Sequence, residues 1–437
     1  MAGVSLTLGF CYVLIHRDGT LVDSSAYLKL GIDTQGSCKK NAANRGQWYN
    51  FSDASRRLYV YNAHYDDRPS LLSQPVVRLI VISDPVLNVQ RMLGTLFCIL
   101  QYKGTFIWMR ITEHPRPIGF GWPLNGSPAR EYVFTCPTIR GAAPDTVSIS
   151  SNLTSVVWLC VPVTLPYKPI TPRGFGVCVQ AVYKTLDPYR LIEWLEVQKL
   201  FGVNFVGIYV LSASEPTLKI LNYYSNTGFV ELHKINYIYA AGKDVGKEYW
   251  LHLTPAINDC IYRHMYELKR ILVIDFDEFI VPRMHRNLSG LVSFLDEMFA
   301  SRNSPRVNYI FRNNYFFLDL PPDDDIPPHL TVLRFRKKVK ISPDGYSVKS
   351  MINPRACIHM HNHYCWGVTA NYSRDDSTES VDPAIALIHH YKKCHFPVKE
   401  CRYMKRNSKY DDAMLFLKEP LTENVRKMVK ITLNEEI

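Results

Sequence analysis

The sequence predicts an α/β protein, a mostly parallel sheet flanked by helices, preceded by a β-rich domain. Three observations carry this. Between residues 171 and 405 short apolar runs alternate with helical stretches, the rhythm of stacked βαβ units. Before residue 170 no helical periodicity of any length occurs, and β-type runs recur between Pro and Gly breaks. The join, Val161-Pro162 through Pro172-Arg173-Gly174, is rich in proline, as domain boundaries tend to be. The expected units are a β-rich accessory domain over 1–170, an α/β domain over 171–405 and a C-terminal tail over 406–437.

In the first unit, Leu6 to Ile15 reads as an opening strand or as the remnant of a signal anchor. It is too short to span a bilayer and no basic flank precedes it. Further β-type runs lie at Val76 to Ile82, Leu96 to Leu100 and Thr105 to Met109, and the breaks are densest from His114 to Pro128. The second unit opens with a strand at Val177 to Val182. Asp187-Pro188 then starts a helix, Asp as cap and Pro at the first turn, with Leu191, Trp194, Leu195 and Gln198 along one stripe. Val206, Ile208 and Val210 alternate as a second strand. Leu218, Leu221 and Tyr224 mark a helix that Gly228 ends. Phe229 to Ile235 is a third strand, and Leu253 to Leu268 a helix feeding a fourth. That fourth strand, Ile271-Leu272-Val273-Ile274, is wholly apolar, as a strand buried on both faces must be. From Asn407 the chain is polar and reads as a surface helix or a mobile tail.

Composition sets bounds. The 437 residues are 47% hydrophobic and 21% charged, which suits a folded chain with ample core and excludes a disordered one. A formal charge of +11 favours an anionic partner: a nucleotide sugar, an acidic glycan or a membrane surface. Nucleic acid rests on charge alone, with no recognition motif, and is set aside. Eleven cysteines without one Cys-x-x-Cys argue against a zinc ribbon and for a few disulfides, with one sulfur left over. Sequons at Asn50, Asn125, Asn152, Asn287 and Asn371 point the same way, to a secretory route.

The chemistry concentrates where the fourth strand ends. Asp275, Asp277 and Glu278 follow its apolar run at once, and open α/β sheets bind ligands at the carboxyl ends of their strands. Hard carboxylate oxygens there suit Mn²⁺ or Mg²⁺ bridging the oxygens of a diphosphate. An Asp-x-Asp alone is weak, since a chain this long holds on the order of one by chance. Asp323-Asp324-Asp325, among prolines, also fits the pattern. Of the three, Glu278 would more readily orient the loop than bind metal. Elsewhere, Cys357, His359, His361, His363 and Cys365 alternate as if on one face of a strand. That invites zinc, although side chains along a single strand fan out rather than converge. Arg334, Arg336, Lys337, Lys338 and Lys340 read as a solvated edge strand guarded by cations, or as a phosphate site.

From Val177 to His395 the chain resembles glycosyltransferase family 92, on blocks that occur in order. These are Leu191-Ile-Glu-Trp with Gly202-Val-Asn-Phe-Val-Gly-Ile-Tyr, Leu221-Asn-Tyr-Tyr-Ser-Asn-Thr-Gly228, and Asn258-Asp259-Cys260-Ile261-Tyr262-Arg263. Ile274 to Pro282 follows, then Lys349-Ser350-Met351-Ile352-Asn353-Pro354-Arg355, His363 and His390-Tyr391-Lys392. The resemblance implies a GT-A-type domain that moves a hexose, galactose, from a UDP-sugar donor to a glycan or glycoprotein acceptor, with Mn²⁺ and with inversion. It also implies a single membrane anchor and Golgi residence, which this N-terminus does not display. It carries metal binding to Asp275, Asp277 and His363, and nucleotide or diphosphate contacts to Asp275, Asp259, His390 and Lys392. Lys392 stands where the family has Arg and loses the forked donor. Thr254 stands where a glutamine is expected. Inversion needs a general base, for which Asp375, Asp376 and Glu379 are candidates and Asp376 the choice.

Two other readings remain. Phosphatases of the haloacid dehalogenase type also place Asp-x-Asp after an apolar strand, but they want Thr or Val where Phe279 stands, and their motif opens the domain. A secreted glycan-binding protein that uses the fold without turnover is the non-enzymatic alternative.

Overall fold

The structure is a computed structural model that describes residues 29–33, 37–39, 48–52, 57–69, 74–84, 96–111, 116–119, 129–139, 142–151, 157–183, 185–238, 249–301 and 305–436. The expected opening strand at residues 6–15 lies outside them.

Before residue 165 every described regular element is a strand. Most join one ten-stranded sheet with Lys29–Asp33 and Arg116–Pro117 at its ends. The β-type runs appear in it as Val76–Ser83, Phe97–Tyr102 and Thr105–Arg110. Neighbours run antiparallel except where Val161–Thr164 lies parallel to Leu58–Asp66. Val60, Leu79, Leu100 and Phe134 fill its core, and a Cys98–Cys136 disulfide crosses it.

Strands of the second unit, numbered from its start, are β1 (Arg173–Cys178), β2 (Val203–Val210), β3 (Val230–Lys234), β4 (Leu268–Val273), β5 (Glu278–Pro282), β6 (Asn308–Phe311), β7 (Asn313–Phe317), β8 (Lys337–Lys338), β9 (Lys349–Ile352), β10 (Cys357–Met360), β11 (Cys365–Val368), β12 (Thr378–Val381), β13 (Ala386–Lys392) and β14 (Lys409–Tyr410). Its helices are α1 (Pro188–Leu200), α2 (Glu215–Asn226), α3 (Leu253–His264), α4 (Leu288–Met298), α5 (Thr331–Arg334), α6 (Val398–Arg406) and α7 (Lys418–Leu433).

These strands form a mixed sheet in the order β3-β2-β1-β4-β9-β6-β12. The first four run parallel, as the alternation of strands and helices requires, and β9 runs against both its neighbours. A second sheet, β5-β13-β7-β8-β14, takes up the chain after the acidic segment. The chain from Ile271 to Pro282 therefore belongs to both sheets. It leaves one sheet at Val273 and enters the other at Glu278.

Local signals set the start of α1 and the end of α2. Asp187 accepts hydrogen bonds from the N–H groups of Tyr189 and Arg190, and Pro188 pre-sets the first turn of α1. Gly228, at φ +77°, lets the chain turn after α2 into β3. A Cys178–Cys260 disulfide ties β1 to α3 across β2, where a side-chain carbon at Gly207 would sit 2.5 Å from Cys260 Sγ. The other bridges are Cys38–Cys160, Cys357–Cys365 and Cys394–Cys401. The left-over cysteine of an odd count, Cys11, lies outside the described residues.

The C-terminal segment 406–437, expected as a surface helix or a mobile tail, contains the helix α7, which packs on the α/β domain. Leu421, Val425, Met428 and Val429 of α7 enter the same core as Leu191 and Leu195 of α1. Buried Glu196 accepts from Tyr224 Oη at 2.6 Å and Asn424 Nδ2 at 3.0 Å, joining three helices. The segment looked dispensable because only one face of α7 is apolar and its other residues are solvated.

Among the described residues no helix is long and apolar enough to cross a membrane.

Candidate functional site

The bend between the two sheets carries the acidic cluster and is held rigidly. Glu278 N–H donates to Asp275 O at 3.1 Å, and Asp275 N–H donates to Glu278 Oε2 at 3.0 Å. The buried indole of Trp194, from α1, donates to both Asp275 O and Glu278 O at 3.1 Å. Tyr391 N–H donates to Asp277 O at 2.8 Å. Glu278 therefore orients the bend, as expected, while Asp275 and Asp277 project their carboxylates at the carboxyl ends of β1 and β4.

A cleft of about 460 Å³ opens there. It is walled by residues 179–183 and 185–187 after β1, Arg190 and Leu191 of α1, the acidic bend, Asn362, His390 and Lys392. Asp277 is 36% exposed in it and lies 3.3 Å from His390 Nε2. Asp275 is 33% exposed and accepts from Lys349 Nζ at 2.8 Å, with Glu278 Oε2 3.3 Å from the same ammonium. His390 Nδ1 faces Asn313 Oδ1 at 3.2 Å and Glu278 Oε1 at 3.3 Å. Arg190 reaches over to donate to Tyr391 O at 2.9 Å.

The electrostatics follow from this geometry. Burial pushes Asp277 up, but His390, Lys392 and Arg190 overcome it and hold the carboxyl at about 2. Burial, with Asp275 and Asp277 beside it, raises Glu278 despite Lys349. Burial opposes charge on His390, and the two acids it touches nonetheless raise it above the usual histidine value. Ionised Asp277 faces three cations across a cleft of the size small anionic ligands fill.

The structure thus brings together Asp275, Asp277, His390 and Lys392. His363 is in the neighbouring loop, close enough to Lys349 and Asp275 to feel both, and its Nδ1 donates to Val348 O at 2.7 Å. Among the described residues no three His, Cys, Asp or Glu side chains converge to hold an ion, so Asp275, Asp277 and His363 are not a preformed three-ligand site. The donor set still fits Mn²⁺ or Mg²⁺ in their usual protein mode, one or two carboxylates plus substrate phosphates. The neutral His363, lowered to about 4 chiefly by burial, has the tautomer that a backbone carbonyl fixes in ligating histidines.

Four readings are corrected. Asp259 is 0% exposed and outside the cleft. It accepts from His64 Nε2 (2.7 Å), Asn62 Nδ2 (2.8 Å), Tyr209 Oη (2.6 Å) and Arg263 Nε (2.7 Å), and so pins α3 to the first unit. Asp376 is exposed in the turn before β12, which runs parallel to β4 with Thr378 level with Ile271 through Asn308 and Ile352. That puts it at the opposite end of the sheet from Asp275, about six residues of strand rise or roughly 20 Å away. Zinc on the Cys/His run fails because Cys357 and Cys365 are joined in a disulfide and have no thiolate to offer. The basic run is neither solvated edge nor phosphate site: β8 lies inside its sheet, Arg336 pairs with Asp323 and Asp412, and Lys338 Nζ lies 2.6 Å from Asp411. Of the second acidic cluster, Asp323 is thereby taken up by Arg336, and Asp324 lies 3.4 Å from Arg334.

Sequence reasoning missed Arg190, Asp187, Asn362 and Lys349. The cap at Asp187 placed a helix N-terminus after β1, which was signal enough for Arg190. Lys349 gave none, since the side chain it neutralises lies 74 residues away.

The profile of Glycosyltransferase family 92 matches residues 173–433. A stretch of 170 residues, 36% of this chain, is 23% identical to Glycosyltransferase family 92 protein F13G3.3 of Caenorhabditis elegans and covers 34% of that protein. The chain thus spans about a third of the curated relative it matches. The crystal structure of S. aureus TarS 1-349 aligns over 59% of this chain and 72% of its own, at 13% identity and a TM-score of 0.24.

Proposed function

This chain belongs to glycosyltransferase family 92, and we propose that it moves a hexose, galactose, from a UDP-sugar to a glycan acceptor with inversion and with Mn²⁺ or Mg²⁺, on a GT-A-like domain. One observation carries the reading. Asp277, held ionised, faces His390, Lys392 and Arg190 across a cleft at the carboxyl ends of β1 and β4.

The donor's diphosphate lies between those cations and the acidic bend. His390, whose charged form Asp277 and Glu278 favour against its burial, donates to a phosphate oxygen, and Lys392 supplies a point charge. Arg190, at the start of α1, offers the forked donor that Lys392 lacks. Asp275 and Asp277 would hold the divalent cation, which when bound neutralises charge developing on the leaving diphosphate. Trp194 and Glu278 keep the bend in place while that charge moves. The acceptor hydroxyl needs a base, and Asp187 is the cleft carboxylate with no cationic partner among the described residues. Disulfides and sequons support passage through the secretory route, and the family supports Golgi residence with a membrane anchor.

Asp277→Asn tests this. It should abolish Mn²⁺-dependent turnover of UDP-galactose and leave the melting temperature unchanged. Full turnover in the variant, or undiminished wild-type turnover in excess chelator, refutes the reading. Tight UDP binding without turnover under any acceptor would point to a glycan-binding protein on the same fold.

A further inference from the structure

A second cleft, of about 380 Å³, shares no lining residue with the first. Arg78 and Arg116 reach it from the first unit, His359 and Trp366 from the β10–β11 hairpin, and Arg374 from the turn beyond. Nothing in the transfer chemistry uses any of them.

His359 is the telling residue. It is 5% exposed, it lines the cleft, and its Nε2 has no hydrogen-bond partner among the described residues. A buried ring nitrogen left unmatched costs free energy unless a ligand meets it. Packing fixes the ring, since a side-chain carbon on Gly367 would sit 2.1 Å from its Nδ1. Burial first, and then the charges of Arg78, Arg116 and Arg68 against that of Asp66, keep the imidazole neutral, so three guanidinium groups lie close enough to be felt there. Neutral imidazole still donates from Nε2 as one tautomer. Arg116 is exposed and has no ion-pair partner among the described residues. Arg374 is paired 3.1 Å from Asp375, both half or more exposed, and such a pair is easily exchanged for a better anion. One face of the Trp366 indole is stacked on His361 at 4.5 Å and 7°, which holds the ring as a rigid wall.

We propose that this cleft binds an oxyanion borne on a sugar ring, a carboxylate or a sulfate. His359 Nε2, Arg116 and Arg374 donate to the anion, and Trp366 packs against the ring. The site recognises an acidic glycan residue, apart from the donor cleft and independently of what the donor cleft does.

The test is isothermal titration of the full chain with sodium glucuronate, glucose 6-sulfate, glucose and sodium sulfate. Saturable millimolar-or-better binding of glucuronate or glucose 6-sulfate, with none for glucose, is the expected result. Which of the two charged sugars binds tighter assigns the anion. Arg116→Ala, at an exposed position that leaves the fold alone, should weaken binding at least about tenfold. His359→Phe should do so too. Neither should change UDP-galactose turnover in the absence of acceptor, so the outcome is separable from that of Asp277→Asn. Binding of glucose as tight as of the charged sugars, unchanged binding in Arg116→Ala, or no saturable binding of either charged sugar overturns the proposal. Sulfate binding as tightly as glucose 6-sulfate removes the sugar from it.

Discussion

Asp259→Asn separates two roles that the residue's place in the sequence left entangled. Its carboxylate is buried and takes four donors, two on each oxygen, from Asn62, His64, Tyr209 and Arg263. An amide keeps one oxygen and turns an N–H₂ toward the others, so at least one donor pair faces a donor and Arg263 loses its counter-charge. Breaking a buried pair in this way costs about 3–5 kcal/mol. Unfolding entropy of about 2.1 cal/mol/K per residue, over 437 residues, makes that roughly a 3–5 °C fall in melting temperature if the chain melts as one unit. Burial opposes the charge on Asp259, but Arg263 and His64 hold its pKa well below the carboxylate range. A depressed acid contributes stability above its unfolded value, near 3.9, and loses it only as pH falls through the lower folded value. The deficit should therefore be flat between about pH 5 and 8. Differential scanning calorimetry reads the stability, and UDP titration the affinity. A melting temperature within about 1 °C of wild type, together with a large loss of UDP affinity, would overturn the structural role and restore the nucleotide role.

Glu193→Gln should stabilise the protein in mild base. Burial raises Glu193 to about 8 although Val332 N–H donates to it at 2.9 Å. A raised acid contributes fully below its unfolded value, near 4.5, and loses that contribution as pH rises through the folded value. The variant keeps the acceptor, so it should match wild type near pH 4.5 and gain at most about 1.4 kcal/mol per pH unit above it, read by urea midpoints. His389, which burial lowers to about 3, has the opposite sign. Its stability is whole above pH 6.5 and lost toward pH 3, so His389→Gln should flatten the acid limb by about 1.4 kcal/mol per pH unit. Lys349→Met leaves Asp275 and buried Glu278 without their cation, and should cost about 3–5 kcal/mol by denaturant melts. Asp187→Asn keeps a capping side chain, so stability should hold within about 0.5 kcal/mol while turnover falls; equal turnover would remove it as base.

What the sequence disclosed depended on whether a signal was local. Pattern and caps placed α1, α2 and the first four parallel strands, because 2- and 3.6-residue periods and an Asp-Pro start are written within a dozen residues. The family blocks placed Asp275, Asp277, His390 and Lys392 together. Failures came where the answer lies across the sheet. The strand at Ile271–Ile274 was legible, but nothing local says that the chain enters a second sheet at Glu278, after the acidic bend. Asp259 read as a ligand because its neighbours in sequence belong to a motif, while its partners sit in the other unit. Asp376 follows His363 closely in the chain, yet an antiparallel β9 and a parallel β12 carry it to the far end. The histidine-cysteine run suggested a metal because sequence lists ligand types and says nothing of a disulfide between two of them.

The acidic bend is close to electrically balanced, and that has a consequence for how the site works. Asp275 is matched by Lys349, Asp277 by His390, and Glu278 is raised toward its neutral form. Arg190 and Lys392 then leave the cleft on the positive side. A cleft of that sign attracts an anion before it attracts a cation, so under the function we propose a diphosphate would enter first and bring the oxygens that complete a divalent ion's shell. Ligand capture by two carboxylates alone would need Asp275 to give up a 2.8 Å ion pair to a buried lysine. Holding Asp275 on Lys349 keeps the bend from collapsing onto its own charges, and leaves Asp277 as the acid facing the most cations.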